Sequence, residues 1–416
     1  MELIIKNGTV VSATQMYKAD IAVKDGKIAA IGSDLSDMNA DKIVDAAGKL
    51  VLPGAIDAHT HLAMPFGGTI SSDDYFAGTR AAACGGTTTV FDFALQNFDE
   101  TMVDTFKRRN ALAAPDAAVD YSFHIGVKDI HGELLDSIKD ACDLGITSYK
   151  VFMVYDFGVS DGVFFKLLSK SKEFGALIAV HAENIELVNT LTEQYISEGK
   201  TDAWYHYMSR PEFVEGEADE RAINLAKAAN APLYIVHLAN KQGVEAVTKA
   251  KDEGYEIYAE TCPQYLEFTS DVYKRADGRN FVCSPPMKGK ESQDAIWEAI
   301  KRGDIDTIAT DHCPFQQSEK DWGLNDFRKI PNGCADKGEI AVGKDADIVI
   351  YDTEKNFTIH QENMHSDCDH TVWEGVEVHG YPVQTYSRGK LVFDNGEFVG
   401  ERGWGKFVKC EKHKAK

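Results

Sequence analysis

From residue 53 to residue 312 the chain repeats one pattern, an apolar run of five to eight residues followed by a stretch with helical spacing. Near-continuous apolar runs suit strands buried on both faces, and their alternation with helices predicts a parallel sheet with crossover connections. Strands are expected at 54–59, 87–93, 119–127, 147–153, 176–183, 231–238, 256–263 and 305–312. Helices are expected at 72–84, 99–112, 132–143, 162–174, 217–230, 241–253 and 291–301, several closed by glycine, as at Gly85-Gly86 and Gly175. Eight such strands predict a TIM-type (β/α)8 barrel over residues 53–334.

The two ends read differently. Residues 1–52 hold short β runs, Leu3-Ile4-Ile5, Thr9-Val10-Val11, Ile21-Ala22-Val23 and Lys27 to Ile31, with turns expected at Asn7-Gly8 and Asp25-Gly26. After residue 338 β character returns in Ile340-Ala341-Val342, Ala346 to Tyr351, Gln384-Thr385-Tyr386 and Lys390 to Phe393. Residues 1–52 and 335–387 are therefore expected to form one small β-sandwich domain, with 388–416 as a C-terminal tail. One helix is missing from the count. After the eighth strand only loop-like sequence follows, Pro314 to Asp336 with Gly323, Pro331 and Gly333, where a barrel needs a helix over its outer face.

Bulk properties narrow the choices. A length of 416 residues exceeds the roughly 250–300 of a single core, which fits a large domain with a smaller companion. The excess of 66 acidic over 44 basic residues, a net charge of -22, repels phosphate backbones and anionic headgroups, so neither nucleic acid nor membrane is an expected partner. No run approaches the roughly 18 apolar residues of a membrane-spanning helix. The segment Met1 to Gly8 lacks the apolar core of a secretory signal. Eight scattered cysteines without a Cys-x-x-Cys pair suggest reduced thiols in a cytoplasmic protein.

The chemistry emerges from where the strands end. In such barrels active sites are built at the carboxyl ends of the strands. His59, His61, Lys150, His181, His237 and Asp311 fall at or near those ends on strands one, four, five, six and eight. Two residues apart on a strand, His59 and His61 point to the same side and can reach one ion. His181 or His237 alone reads as a hydrogen-bonded core histidine; their joint recurrence points to metal ligands. Lys150 is buried by its apolar neighbours and is expected to lose its proton easily, so its amine can take up carbon dioxide and become a bridging carboxylate. Two divalent ions about 3.5–4 Å apart lower the pKa of a shared water, and Asp311 is placed to accept and pass on its proton.

These stretches resemble the cyclic amidohydrolases, in particular the hydantoinase and dihydropyrimidinase branch. The matching segments are Asp57 to Gly68, Lys150 to Met153, His181 to Asn184, Glu260 to Leu266, Ser284-Pro285-Pro286 and Thr310 to Phe315. The resemblance implies two Zn2+ per subunit bridged by carboxylated Lys150 and hydroxide, with His59, His61, Lys150 and Asp311 on one ion and Lys150, His181 and His237 on the other. It implies that Tyr155 donates to the developing oxyanion while Ser284 and Asn332 bind the ring amide through main-chain groups. Asp311 and Tyr155 are then the catalytic pair. Dihydroorotases, which are similar, carry an arginine where this chain has Ala63, so a carboxylate-bearing ring is disfavoured.

The implied activity is hydrolytic opening of a cyclic ureide, a hydantoin or 5,6-dihydropyrimidine, to an N-carbamoyl amino acid. Met64, Pro65, Phe66, Phe152, Tyr155 and Phe157 offer apolar surface to an exocyclic group at the mouth. Allantoinase on the same scaffold and a catalytically silent assembly protein are the alternatives. The resemblance also implies a homotetramer, its tail anchored on a neighbouring subunit by Trp404 and Phe407, with Lys412, His413 and Lys414 as a frayed end. Relatives carry roughly forty more residues between Asn332-Gly333 and Gly338, and here Cys334 leads almost at once to Gly338.

Overall fold

The computed structural model describes residues 1–334 and 345–414. Eight parallel strands follow one another around a barrel: Ala55–Thr60, Thr87–Leu95, Asp120–Gly126, Ser148–Phe152, Leu177–His181, Leu233–Ile235, Ile257–Thr261 and Thr307–Ile308, here numbered strands one to eight. Each pairs with its neighbour in sequence order. Closure runs through Thr60 and His312, with the His61 N–H donating to the His312 carbonyl at 2.8 Å.

All eight expected strands are present, but the sixth and eighth are much shorter than their apolar runs. Just beyond them His237 and Asp311 have φ of 40° and 52°, a left-handed conformation that cannot continue a ladder. Helices Tyr75–Cys84, Met102–Ala113, Asp161–Phe174, Lys241–Asp252 and Lys290–Arg302 match the expected stretches closely. Four were missed, Ile185–Ser197, Ala203–Met208 and the short Pro263–Glu267 and Gln317–Lys320. Of Ile185–Ser197 only Val188 is buried, so there was no apolar stripe to see.

A nine-stranded sheet is assembled from both ends of the chain, and its halves meet where Ile348–Thr358 runs antiparallel to Leu50–Pro53. Its own core gathers Leu3, Ile21, Val51, Ile348 and Tyr386. The turn expected at Asn7-Gly8 is instead a bulge inside one continuous strand, Leu3–Val11. Both halves of that strand pair with Met16–Lys24, so the chain does not reverse there. A Cβ on Gly8 would lie 2.4 Å from Val51, which explains the glycine. The expected strand Ile340-Ala341-Val342 lies outside the described residues.

Past residue 400 the tail returns to its own barrel. The Tyr121 N–H donates to Lys406, the Val408 N–H to Tyr121, the Cys410 N–H to Gly145 and the His413 N–H to Gly175, so the tail crosses the amino ends of strands three, four and five. Phe407 stacks on Phe123, and Trp404 lies against the Arg388 guanidinium. Both rings therefore rest on this chain's own residues. The expected fraying at Lys412 and His413 is replaced by an ion pair between Lys412 and Asp143 and by the His413 bond.

No helix among the described residues is long and apolar enough to cross a membrane. Among the described residues no barrel helix follows strand eight: before Cys334 there are only Gln317–Lys320 and two single 3-10 turns.

Candidate active site

The carboxyl ends of the strands bring all nine expected site residues around one small cavity of about 40 Å3: His59, His61, Lys150, Tyr155, His181, His237, Ser284, Asp311 and Asn332. Met64, Phe66, Phe152, Cys313 and Gly333 complete the lining. Three of the nine, Tyr155, His237 and Asp311, hold left-handed backbones, with φ of 71°, 40° and 52°. Such conformations are costly for residues with side chains and cluster at functional sites.

His59 Nε2 and His61 Nε2 converge on Asp311 Oδ1 at 3.1 and 2.9 Å. The three form a cluster fit to hold an ion. The rings of His181 and His237 lie 4.4 Å apart, and that of His237 is 5.5 Å from His59. Between these groups Lys150 is fully enclosed, its ammonium 5.0 Å from the Phe93 ring centre and 5.3 Å from that of Phe152.

The electrostatics favour added positive charge. Burial works against a charged His59, yet the Glu260 and Asp311 carboxylates outweigh it and hold the imidazole up at about 9. Asp311 is likewise buried, and His59 and His61 hold it well below the usual carboxylate range. Burial pushes Lys150 down to about 8, partly countered by Asp311 and Glu260. Tyr155 is raised by burial and then by the Glu183 charge, which keeps its hydroxyl protonated as a donor.

Several residues that position the site were not assigned a role from sequence. Glu260, at the end of strand seven, lies 2.6 Å from His59 Nδ1, and it also accepts the His237 N–H at 3.2 Å and the Tyr234 hydroxyl at 2.6 Å. That pairing turns His59 Nε2 inward. Glu183 does the same for His181, with Oε2 2.8 Å from Nε2, leaving Nδ1 free to face the cavity. Burial raises the Glu183 carboxyl, but Arg210 and His181 outweigh it and bring it down to about 2. Lys320 ties the Ser284 and Asn332 loops together, its buried ammonium donating to the carbonyls of Val282, Pro331 and Gly333 at 3.1, 2.8 and 2.6 Å. Ser284 Oγ donates to Asn332 Oδ1 at 3.3 Å across that junction. The available signal was position: Glu183 stands two residues after a ligand, and Glu260 closes a buried strand.

The donor set fits metal. His237 Nδ1 is buried without a hydrogen-bond partner, as a nitrogen reserved for an ion would be. Imidazoles braced by carboxylates through the other ring nitrogen are the usual arrangement around catalytic ions.

Comparison with known proteins agrees. The profile of the amidohydrolase family matches residues 50–333. The D-hydantoinase of Geobacillus stearothermophilus is 39% identical over 461 aligned positions, covering 100% of this chain and 98% of the relative. The crystal structure of dihydropyrimidinase from Brevibacillus agri superposes with a TM-score of 0.96 at 40% identity, covering 100% of both chains. The L-hydantoinase (dihydropyrimidinase) from Arthrobacter aurescens gives 0.89 at 30% identity, covering 98% of this chain and 99% of its own. From barrel, site and relatives together, the chain belongs to the amidohydrolase family, within its hydantoinase and dihydropyrimidinase branch.

Proposed function

We propose that the chain opens a cyclic ureide, a hydantoin or a 5,6-dihydropyrimidine, by hydrolysis to an N-carbamoyl amino acid. The observation that carries this reading is the convergence of four imidazoles, Asp311 and the enclosed Lys150 on one cavity rimmed by Tyr155, Ser284 and Asn332. Relatives are named for hydantoins and dihydropyrimidines, whose ring amide this set would serve.

Two zinc ions are the cofactors we assign, His59, His61 and Asp311 holding one, His181 and His237 the other, and Lys150 both. When bound, such a pair polarises a carbonyl and makes water nucleophilic near neutral pH. For Lys150 to bridge them it must exchange its positive charge for a negative one. Its neutral nitrogen bonds to the carbon of carbon dioxide and releases a proton, leaving a carbamate. A pKa of about 8 makes the neutral amine accessible, which an ordinary lysine near 10.5 does not.

In the reaction a carbon–oxygen bond forms at the ring carbonyl and the ring carbon–nitrogen bond breaks. Tyr155, protonated and held against Phe66 and Phe157, donates to the carbonyl oxygen as it gains charge. Asp311 takes the water's proton and delivers it to the departing nitrogen. The main chain at Ser284 and Asn332 fixes the ring amide. The aromatic rim of Phe66, Phe152 and Phe157 takes the exocyclic substituent. A homotetramer in the cytoplasm completes the reading.

Turnover of hydantoin, dihydrouracil and allantoin on the zinc-loaded protein, side by side, tests the substrate class. Ring opening of either of the first two supports it; exclusive turnover of allantoin, or none of the three, overturns it. Intact-mass measurement under native conditions should show Lys150 heavier by one carbon dioxide, loading faster as pH rises toward about 8. Asp311→Asn is expected to lower kcat by about 10³–10⁴-fold, the upper part of the 10²–10⁴ usual for a general base, because it also weakens a ligand.

A further inference from the structure

Behind His181 and His237 runs a chain of buried charges that the proposed reaction does not use. It begins at His181, whose Nε2 meets Glu183 Oε2 at 2.8 Å. Glu183 Oε1 lies 3.3 Å from the Nε of Arg210, which stands in the turn between helices Ala203–Met208 and Glu212–Ala229. The Arg210 carbonyl accepts the Lys288 ammonium at 2.8 Å, and that ammonium lies 3.4 Å from Glu215 Oε2. Glu215 Oε1 then accepts the Ala239 N–H at 2.8 Å, two residues beyond His237. Exposure is 0% at Glu183, 8% at Arg210, 3% at Lys288 and 2% at Glu215, so the whole chain is shut away from solvent.

Given two ions held as proposed, we infer that Arg210 is a positioning residue for the second ion alone: with Lys288 and Glu215 it fixes the His181 ring and the main chain beyond His237 in one frame. Each buried carboxyl faces a cation within 3.4 Å, and taking one partner from such a pair leaves the other as an uncompensated buried charge. The frame spans strands five and six, whose imidazoles lie 4.4 Å apart. A carboxylate can orient a ligand ring only if it is itself held, and Arg210 holds Glu183. Glu183 Oε1 and Arg210 Nε are close without hydrogen-bond alignment, so the contact works through charge more than through direction. On the first ion's side the brace is a different carboxylate, Glu260, which pairs with His59. None of the contacts in the chain touches His59, His61 or Asp311.

The test is titration of the metal-free full chain with Co2+ in bicarbonate, followed by visible absorption, together with zinc retained per chain against a graded chelator. The wild type is expected to take up two ions in two steps. Arg210→Met should weaken the second step about 10–100-fold and leave the first within about twofold, with the circular dichroism of the metal-free chain unchanged. Zinc per chain then falls from two to one at chelator concentrations the wild type withstands. Arg210→Lys, which keeps the charge, should hold the second step within about fivefold of the wild type, a rescue that a purely space-filling role would not give. Lys288→Met attacks the frame from its other half, is expected to weaken the second step about tenfold, and decides the question if Arg210→Met does not fold. Weakening of both steps in parallel, or of neither, in a protein whose wild type binds two ions overturns the role of Arg210 alone. A wild type that takes up a single ion overturns the two-ion reading and the frame with it.

Discussion

Two sectors of the same barrel are built to different standards. Behind strands four and five the helix Asp161–Phe174 sets Phe164, Leu167 and Leu168 against the sheet with no exposure at all. Behind strands eight and one there is a hollow, with Ile308 and Ile300 only partly covered. Yet the chemistry is seated on both sectors alike: Lys150 and His181 come from the covered side, His59, His61 and Asp311 from the uncovered one, and all line one cavity. The site depends on strand ends and the buried carboxylates that brace them. The outer helical layer supplies stability, and its local loss leaves the inner geometry in place.

The sharpest way to break that contrast is truncation in each sector. Phe164→Ala should cost about 3–5 kcal/mol of unfolding free energy in denaturant titration, because a fully enclosed ring leaves a cavity. Ile308→Ala should cost less than about 1.5 kcal/mol, since its surroundings already include open space. Equal losses would remove the distinction between the sectors.

Next in size is the bracing itself. Glu260→Gln is expected to weaken metal retention about 10–100-fold in chelator competition, and Ile308→Ala to leave it within about twofold. A metal affinity that followed the hollow rather than the carboxylate would show that the outer layer does shape the site. The smallest effect is dynamic. Amide exchange should be faster in strands one and eight than in strands four and five.

The strand ends that line the site were readable because burial leaves a strand few reasons to finish in histidine, lysine or aspartate. His59, Lys150 and His237 stood out against their apolar runs for that reason. Glu183 and Glu260 did not, although each bonds a ligand ring, because a carboxylate after a buried strand looks the same whether it faces solvent or a histidine. The bulge at Asn7-Gly8 was invisible for a related reason: the pair has turn chemistry, and only the shared partner strand shows that the chain runs straight through. Lys320 gives no local signal, since its three carbonyl partners come from loops as many as 38 residues away. The gap in the helix count after strand eight was legible, and among the described residues no barrel helix fills it.

The lacing of the tail beneath strands three to five bears on synthesis. A chain whose small sheet needs Leu50–Pro53 joined to Ile348–Thr358, and whose barrel floor is stitched by Lys406 to His413, cannot finish folding as it leaves the ribosome in order. Its central strands must wait, half-enclosed, for residues translated last. Such a chain should depend on chaperones more than one of equal length whose contacts close in sequence order.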